Sequence, residues 1–528
     1  MRATALFRRA PRFAAAALLA AAACAPPPSA GPAPAADGVK RVRIVHTNDF
    51  HGRLLPERPS WADGRLVGGS AVLAAHFDSA AARFGGPTLV ISAGDDMQGT
   101  AISNLSWGRS TIAAHNASGY LAAALGNHEF DWGLDTLRAR VAESRFPWLA
   151  ANLTETATGR APSWLRPWVM LDRGGVRTAV IGAALPGTPE IVMAGRVRGL
   201  AFGPAAPAID AAAREARAAG ADFVVVTMHI GAVCETPGGE GEAASAGCEG
   251  EMMDVAEAIT EPVDLILGGH THQRVLATAG GIPVVEARSY STAYSVTDLE
   301  RRGGRTSVVY RAVRTPWADE VDPDTAVARV VGEWEARVRP VSERVMVTFA
   351  EPMERGRGET ALGNLLADAV RAATGADATL INNGSIRRDM PAGPITYGTL
   401  YELQPFQNEL VRLEVTGAQL RAALENALSG DTPDAHLSGM TVTYDPAAPA
   451  GSRVRSVRLA GGREVGDADR VTLGLSEFIA TGGDRYTSFL EGRMTRTGQV
   501  DLEAAVAYLQ SLPQPVRAPE TGRWRTVR

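Results

Sequence analysis

Seven residues of metal-binding type recur in short segments of this chain, nearly all flanked by glycine. They are Asp49 and His51 in Asn48-Asp49-Phe50-His51-Gly52, Asp95 after Gly94, Asn127 in Gly126-Asn127-His128-Glu129, His229 before Gly231, and His270 and His272 after Gly269. A single Asp or His behind a strand is ordinarily a turn former, a helix cap or a surface residue. Of the nine histidines, however, five (His51, His128, His229, His270 and His272) fall in these segments, so separate structural explanations would have to coincide repeatedly. His46, His76, His115 and His436 carry no such signal and are read as structural. Mixed carboxylate, amide and imidazole donors suit borderline divalent cations, and two neighbouring cations require a bridging carboxylate. Such a pair turns water into a nucleophile at neutral pH and clamps both oxygens of an in-line displacement at phosphorus. The chemistry implied is phosphoester hydrolysis.

Strands and helices alternate from Val39 onward, the pattern of a layered α/β domain. Strands are expected at Val42–Val45, Leu89–Ser92, Val176–Ala183, Phe223–Thr227 and Val263–Leu267, and helices at Thr111–Ala123 and Leu134–Ser144. All but the strand at Val176 run directly into donor segments, and open α/β sheets carry ligand sites beyond the carboxyl ends of their strands. Asp49 and His51 are two apart, so on extended chain they point the same way. Ser289–Arg314 reads as the closing strands of this domain. Thr325–Arg339 reads as a connector helix with Val327, Val330, Val331 and Trp334 on one side, punctuated by Pro316, Pro323 and Pro340. A second α/β unit follows.

The chain has 528 residues, which implies two or more domains. Hydrophobic residues at 45% and charged residues at 21% describe a folded rather than a disordered chain. A net charge of -5 is small for this length and argues against a nucleic-acid partner. Arg2, Arg8, Arg9 and Arg12 precede an apolar run, Phe13–Ala23, too short to span a bilayer, so residues 1–24 read as an export signal. Its end, Ala21-Ala22-Ala23-Cys24, resembles a bacterial lipobox; ordinary cleavage at an Ala-x-Ala site is the alternative. Residues 25–38 form a Pro/Ala-rich tether. No later run of about 18 apolar residues follows. Membrane association is therefore expected only through a lipid on Cys24, and the location is the periplasm or cell envelope, or secretion. Cys234 and Cys248 flank a Gly/Glu-rich loop; a disulfide, two buried thiols or part of a small metal site would each suit them, and export favours the disulfide.

Three loops stand out in the second unit: Asn382-Asn383-Gly384-Ser385-Ile386-Arg387, Gln404-Pro405-Phe406-Gln407-Asn408, and Phe478 ahead of Thr481-Gly482-Gly483-Asp484. Singly, each Phe fits a core. Together, two aromatics on polar loops could sandwich a nucleobase, each stack contributing about 1–3 kcal/mol.

In their order and spacing, Asp49-x-His51, Gly94-Asp95, Gly126-Asn127-His128-Glu129, His229 and Gly269-His270-x-His272 resemble the calcineurin-type binuclear metallophosphoesterase signature. With the second half, the chain resembles the bacterial periplasmic 5'-nucleotidase family, which includes UDP-sugar hydrolases and cyclic-nucleotide phosphodiesterases. The resemblance implies a layered α/β metallophosphoesterase domain at 39–315, a connector at 316–344 and a substrate-binding α/β domain at 345–528. It implies two divalent ions (Zn, Mn, Fe or Co), one on Asp49, His51, Asp95 and His272 and the other on Asp95, Asn127, His229 and His270. It makes His128, paired with Asp131, a stabiliser of transition-state charge and leaves Glu129 a structural hydrogen-bonder. Phe406 and Phe478 match the base-stacking pair, Asp484 the ribose-bonding residue, and Asn382 and Arg387 further substrate contacts. One family Arg falls on or beside Gly358 here, and Arg357 is its nearest substitute, with Arg355 behind it. The implied activity is removal of the 5'-phosphate from small-molecule nucleotides by in-line attack of a metal-bound hydroxide. The alternatives are UDP-sugar hydrolysis, 2',3'-cyclic-nucleotide phosphodiester hydrolysis, thiosulfohydrolysis and a non-catalytic binding protein that kept the fold.

Overall fold

The computed structural model describes residues 38–527. The export signal, Cys24 and the tether up to residue 37 lie outside the described residues.

The first domain is built on two six-stranded sheets. One holds Lys40–Thr47, Thr88–Ser92, Ala122–Ala124 and Trp148–Leu149 in parallel, extended antiparallel by Tyr294–Arg302 and Arg305–Arg314. The other holds Ile282–Ala287, Leu265–Leu267, Phe223–Met228 and Val176–Ala183 in parallel, with Arg274–Ala279 and Trp168–Arg173 antiparallel at its edges. Strands that must be covered on both faces read as continuous apolar runs, which is why Phe223-Val224-Val225-Val226 carries no alternation. The inner faces meet in one core, with Ile44, Leu89 and Ile91 from the first sheet against Val180, Val225 and Leu267 from the second. Helix Ala205–Ala218 packs on the outside of the second sheet through Ile209, Ala212 and Ala213. Helices Ser70–Phe84 and Arg109–Ala117 pack on the outside of the first.

One expectation is corrected. The helix expected over Thr111–Ala123 ends at Ala117, and Ala122–Ala124 is instead a fully buried strand between Thr88–Ser92 and Trp148–Leu149. Gly119 turns the chain at φ +78, and sheet pairing then overrides the helical preference of alanine. The connector helix runs on to Ser342, with Pro340 in its last turn, and buries Val327, Val331 and Val338 in the core of the first domain.

The second domain has a five-stranded sheet ordered Ala435–Ser438, Ala378–Asn382, Arg470–Ser476, Glu409–Thr416, Arg493–Val500. Helices Ala361–Thr374 and Gly417–Ala427 cover it through Leu365, Leu366, Leu420 and Leu424. Thr416 and Gln419 form a capping box at the start of the latter. Asn104 Nδ2 donates to Pro405 O at 3.1 Å and Arg53 Nη1 to Glu402 at 3.0 Å, so the two domains meet beside the donor loops.

Cys234 and Cys248 face each other across the hairpin Val233–Thr236/Ala246–Glu249 and are disulfide-bonded. Closing a loop of this size contributes roughly 3 kcal/mol by restricting the opened chain. The Cys234→Ser/Cys248→Ser variant is therefore expected to be nicked between residues 235 and 247 by protease concentrations that leave the oxidised protein intact, as read by mass spectrometry of the fragments.

Candidate functional site

Asp49, His51, Asp95, Asn127, His229, His270 and His272 all lie just past the carboxyl ends of parallel strands, from both sheets. The two sheets present these ends on the same side, so segments far apart in sequence converge. Two clusters of donor atoms result: Asp49 with His51 and His272, and Asp95 with His229 and His270, each set within 4.8 Å. Asp49 Oδ1 lies 3.2 Å from His272 Nε2 and 3.9 Å from both His51 Nε2 and His229 Nε2. Asp95 Oδ2 lies 3.0 Å from His229 Nε2 and 3.9 Å from His51 Nε2, so its carboxylate reaches toward both clusters.

Five of these seven residues have left-handed backbone: Asp49 (φ +49), His51 (+50), Asp95 (+56), His270 (+81) and His272 (+58). Each costs on the order of 1–3 kcal/mol and persists only where the surroundings enforce it. The loops enforce it on one another. Asp49 N donates to Gly94 O and His51 N to Asp95 O, both at 2.9 Å, and Gly52 N donates to Asp96 O at 2.8 Å. Buried Glu129 accepts from Asp95 N, Asp96 N and Gly126 N at 2.9, 2.9 and 2.8 Å, the structural role the sequence suggested for it. Gly126 has no alternative, because a Cβ there would stand 2.1 Å from Asp95 Oδ1.

The histidines are oriented through their other ring nitrogen. His51 Nδ1 and His229 Nδ1 lie 2.8 Å from Gln98 O and Ala93 O. A carbonyl only accepts, so each Nδ1 carries a proton and each Nε2 is left facing the carboxylates. Asp49 Oδ1, Asn127 Oδ1 and His229 Nε2 are buried without a hydrogen-bond partner. Buried polar atoms are rarely left so, and these converge where a cation would satisfy them. Burial raises the Asp95 and Asp49 carboxyls, but the histidines outweigh it: His229 and His128 hold Asp95, and His272 and His229 hold Asp49, below the usual carboxylate range. Burial opposes charge on His229, yet Asp95 and Asp49 lift it to about 10. Two buried carboxylates that draw protons onto a neighbouring imidazole form a pocket that calls for positive charge. With mixed oxygen and nitrogen donors, the residues fit two divalent cations.

His128 stands beside the clusters with Nδ1 2.8 Å from Asp131 Oδ2. Burial opposes its charge, but Asp131 and then Asp95 raise its pKa above the ordinary histidine value. Its ring stacks on Phe406 from the second domain, with centroids 5.6 Å apart. Between the two domains opens a cavity of about 230 Å³ lined by Asn127, His128, Asp131 and His270 from the first and Asn382, Arg387, Phe406, Phe478 and Asp484 from the second. Asn382 Nδ2 donates to Asp484 Oδ2 at 2.5 Å. Five of the six substrate residues named from the sequence are thus in one cavity. Arg357 is not: it is exposed and lines no part of it. Gly358 takes φ +82, which turns this loop toward Thr432. Arg355, behind it, is also exposed and donates to Arg387 O at 3.2 Å.

Three contributors were not legible beforehand. Asn48 donates to Asp49 Oδ2 and Arg288 O and accepts from Ala287 N. Glu286 accepts from Thr271 Oγ1 and Gln273 N and so fixes the turn that carries both His270 and His272. A lone carboxylate in the otherwise apolar strand Ile282–Ala287 was the available signal. Ile191, Val192, Met193 and Arg196 line the cavity from the first domain, and no local motif marks them. His46, His76, His115 and His436 are buried outside the clusters, as expected; His115 stacks on Tyr120 at 4.1 Å.

Residues 42–274 match the calcineurin-like phosphoesterase family and residues 341–491 match the 5'-nucleotidase C-terminal domain. Among curated relatives, the 5'-nucleotidase of Vibrio cholerae is 26% identical over 90% of this chain and 91% of its own length. Endonuclease YhcR of Bacillus subtilis is 30% identical over 91% of this chain, which spans only 40% of that relative's length. The solved 5'-nucleotidase precursor from Thermus thermophilus superposes with a TM-score of 0.82 at 27% identity, covering 92% of this chain and 99% of the other. Two matched domains in this order, joined around one pair of donor clusters, place the chain in the 5'-nucleotidase family of calcineurin-like metallophosphoesterases.

Proposed function

We propose that this protein is an exported, metal-dependent hydrolase that removes the 5'-phosphate from nucleotides. One observation carries the reading: a single cavity is lined by Asn127, His128 and His270 from the metal-binding loops and by Phe406, Phe478 and Asp484 from the second domain. The phosphate, ribose and base of a 5'-nucleotide thus each have matching residues in one cavity.

Asp49, His51, Asp95 and His272 would hold one divalent ion and Asp95, Asn127, His229 and His270 the second, with Asp95 shared. When bound, such a pair supplies a water nucleophile at neutral pH and positive charge at the phosphoryl oxygens. Asp131 orients the His128 ring and favours its protonated form, which would put positive charge beside the charge that develops on phosphorus. Arg387 offers a guanidinium on the same wall, suited to phosphate oxygens. Phe406, on a turn, and Phe478, in the short helix Glu477–Ala480 rather than on the loop expected from the sequence, are both half-buried and bracket the base, and Asp484 with Asn382 takes the ribose hydroxyls.

Domain limits at 39–315, 316–344 and 345–528, the signal at 1–24 and the tether at 25–38 belong to the same proposal. Among the described residues no helix is long and apolar enough to cross a membrane. A relative from Listeria monocytogenes, 26% identical, is named a cell wall protein, which supports a place in the cell envelope.

The test is phosphate release from AMP by the purified protein with Mn²⁺ or Zn²⁺. No release from any nucleotide, with two bound metal equivalents confirmed by elemental analysis, would overturn the reading. Metal removal gives a second measurement. Two cations that bind only the folded chain stabilise it, so EDTA is expected to lower the melting temperature, with recovery on adding Mn²⁺. An unchanged melting curve would argue against the metal assignment.

The aromatic pair gives a third. Phe406→Ala or Phe478→Ala is expected to raise KM for AMP by roughly 5- to 150-fold, since each stack contributes about 1–3 kcal/mol. Hydrolysis of p-nitrophenyl phosphate, which has no base, should change little.

A further inference from the structure

Beyond Asp484 the nucleoside cavity opens onto a second, larger one. Its volume is about 440 Å³ against 230 Å³, and the two share Ile191, His270, Gly384 and Asp484. Both domains build it: Leu185–Ile191 and the turn after Ile230 on one side, Asn426–Asp434 and Asp484–Tyr486 on the other. The lining is strongly one-sided in charge. Glu190, Glu249, Glu251 and Asp434 stand around it and Asp484 at the junction, with Arg485 as the one guanidinium on its described wall. Burial pushes the Asp434 carboxyl up, and burial followed by Asp434 pushes Asp484 up, as a wall short of counter-charge would.

Position gives this chamber its meaning, and here the argument rests on the nucleotidase reading above. A nucleotide with its phosphate at Asn127 and His128 and its base at Phe406 and Phe478 lays its sugar against Asp484. The 2',3' edge of the ribose then faces the second chamber. A hydroxyl there is neutral and donates to carboxylates. A phosphomonoester there would bring about 1.5–2 negative charges and a phosphodiester one. The chamber is wide enough for either, so charge rather than size discriminates.

We propose that the acidic chamber beyond Asp484 is a specificity wall: it accepts nucleotides with a free 3'-hydroxyl and rejects those with phosphate on the 3' side, confining the enzyme to mononucleotides over 3',5'-bisphosphates and polynucleotides. Specificity of this kind comes from a repulsive element set against the wrong substrate. Clefts lined by one sign of charge focus that field.

The test compares kcat/KM for 5'-phosphate release from AMP and from adenosine 3',5'-bisphosphate, using the Mn²⁺-loaded full chain at low salt. AMP is expected to be favoured at least 100-fold, and the ratio should narrow at 0.5 M salt as screening shortens the field. The variant Glu190→Gln/Glu249→Gln/Glu251→Gln changes only exposed side chains. It should narrow the ratio at least tenfold and leave AMP hydrolysis within threefold. Asp434→Asn, made separately, should narrow it further from the opposite wall. Hydrolysis of the bisphosphate within threefold of AMP, or a ratio unmoved by both variants, overturns the inference while leaving the nucleotidase reading standing. If neither compound is hydrolysed, that reading fails instead. The wall is then judged by the dissociation constants of the two compounds from calorimetry, where equal affinity or no binding of either overturns it too.

Discussion

Asp95→Asn is expected to reduce phosphate release from AMP by at least about 10³-fold and to drop bound metal from two equivalents to one or fewer. Losing even an outer partner of a ligand costs about 10- to 100-fold in affinity or activity, and the Asp95 carboxylate lies 3.0 Å from His229 of one donor cluster and 3.9 Å from His51 of the other. Asparagine is a clean replacement. It tolerates the left-handed backbone that Asp95 adopts at φ +56, and an amide oxygen still accepts from His128 N, which now lies 2.9 Å from Asp95 Oδ1. What it removes is charge. Circular dichroism and the melting curve in EDTA should stay close to the parent, so loss of activity reports the site and not the fold. A variant that keeps two metals and activity within tenfold would mean that Asp95 does not bridge.

His128→Gln should lower kcat for AMP by about 10²–10³-fold, the range seen when one donor to a developing oxyanion is removed, with KM changed far less. The side chain does no work in holding metal on this reading, so metal content should remain at two equivalents. That separates it from the Asp95 variant. Asp131→Asn should cost less than His128→Gln, because the ring remains and only its orientation and charge weaken; the 2.8 Å contact becomes a neutral hydrogen bond. If His128→Gln raises KM and spares kcat, the residue binds ground-state phosphate and the transition-state role is wrong.

Much of the first domain was legible because its strands announce themselves locally. Phe223–Thr227 and Val176–Ala183 are apolar runs that only a strand covered on both faces requires, and both formed where expected. Ala122–Ala124 did not announce itself. Alanine favours a helix in isolation, and only the neighbouring strands on either side make that stretch a strand. The connector was legible as a helix from its periodicity, but whether Val327 and Val331 faced water or a core depended on where the first domain's helices lay.

The site divides along the same line. Asp49-x-His51, Gly94-Asp95, Gly126-Asn127-His128-Glu129 and Gly269-His270-x-His272 are local, because each must end a strand, turn sharply and expose a donor within a few residues. Residue type and spacing therefore carry the chemistry, and the order of the motifs is enough to identify the family. Distances are not local. Nothing in the chain before folding says that Glu286 fixes the turn between His270 and His272, or that Arg357 falls outside the cavity. Nor does it say that Glu190, Glu249 and Asp434 border one chamber. The sequence by itself determined which donors this protein presents and at which strand ends; the tertiary structure alone decided which of them share a point in space. Backbone propensity acts over a few residues, whereas convergence depends on how two sheets and two domains pack.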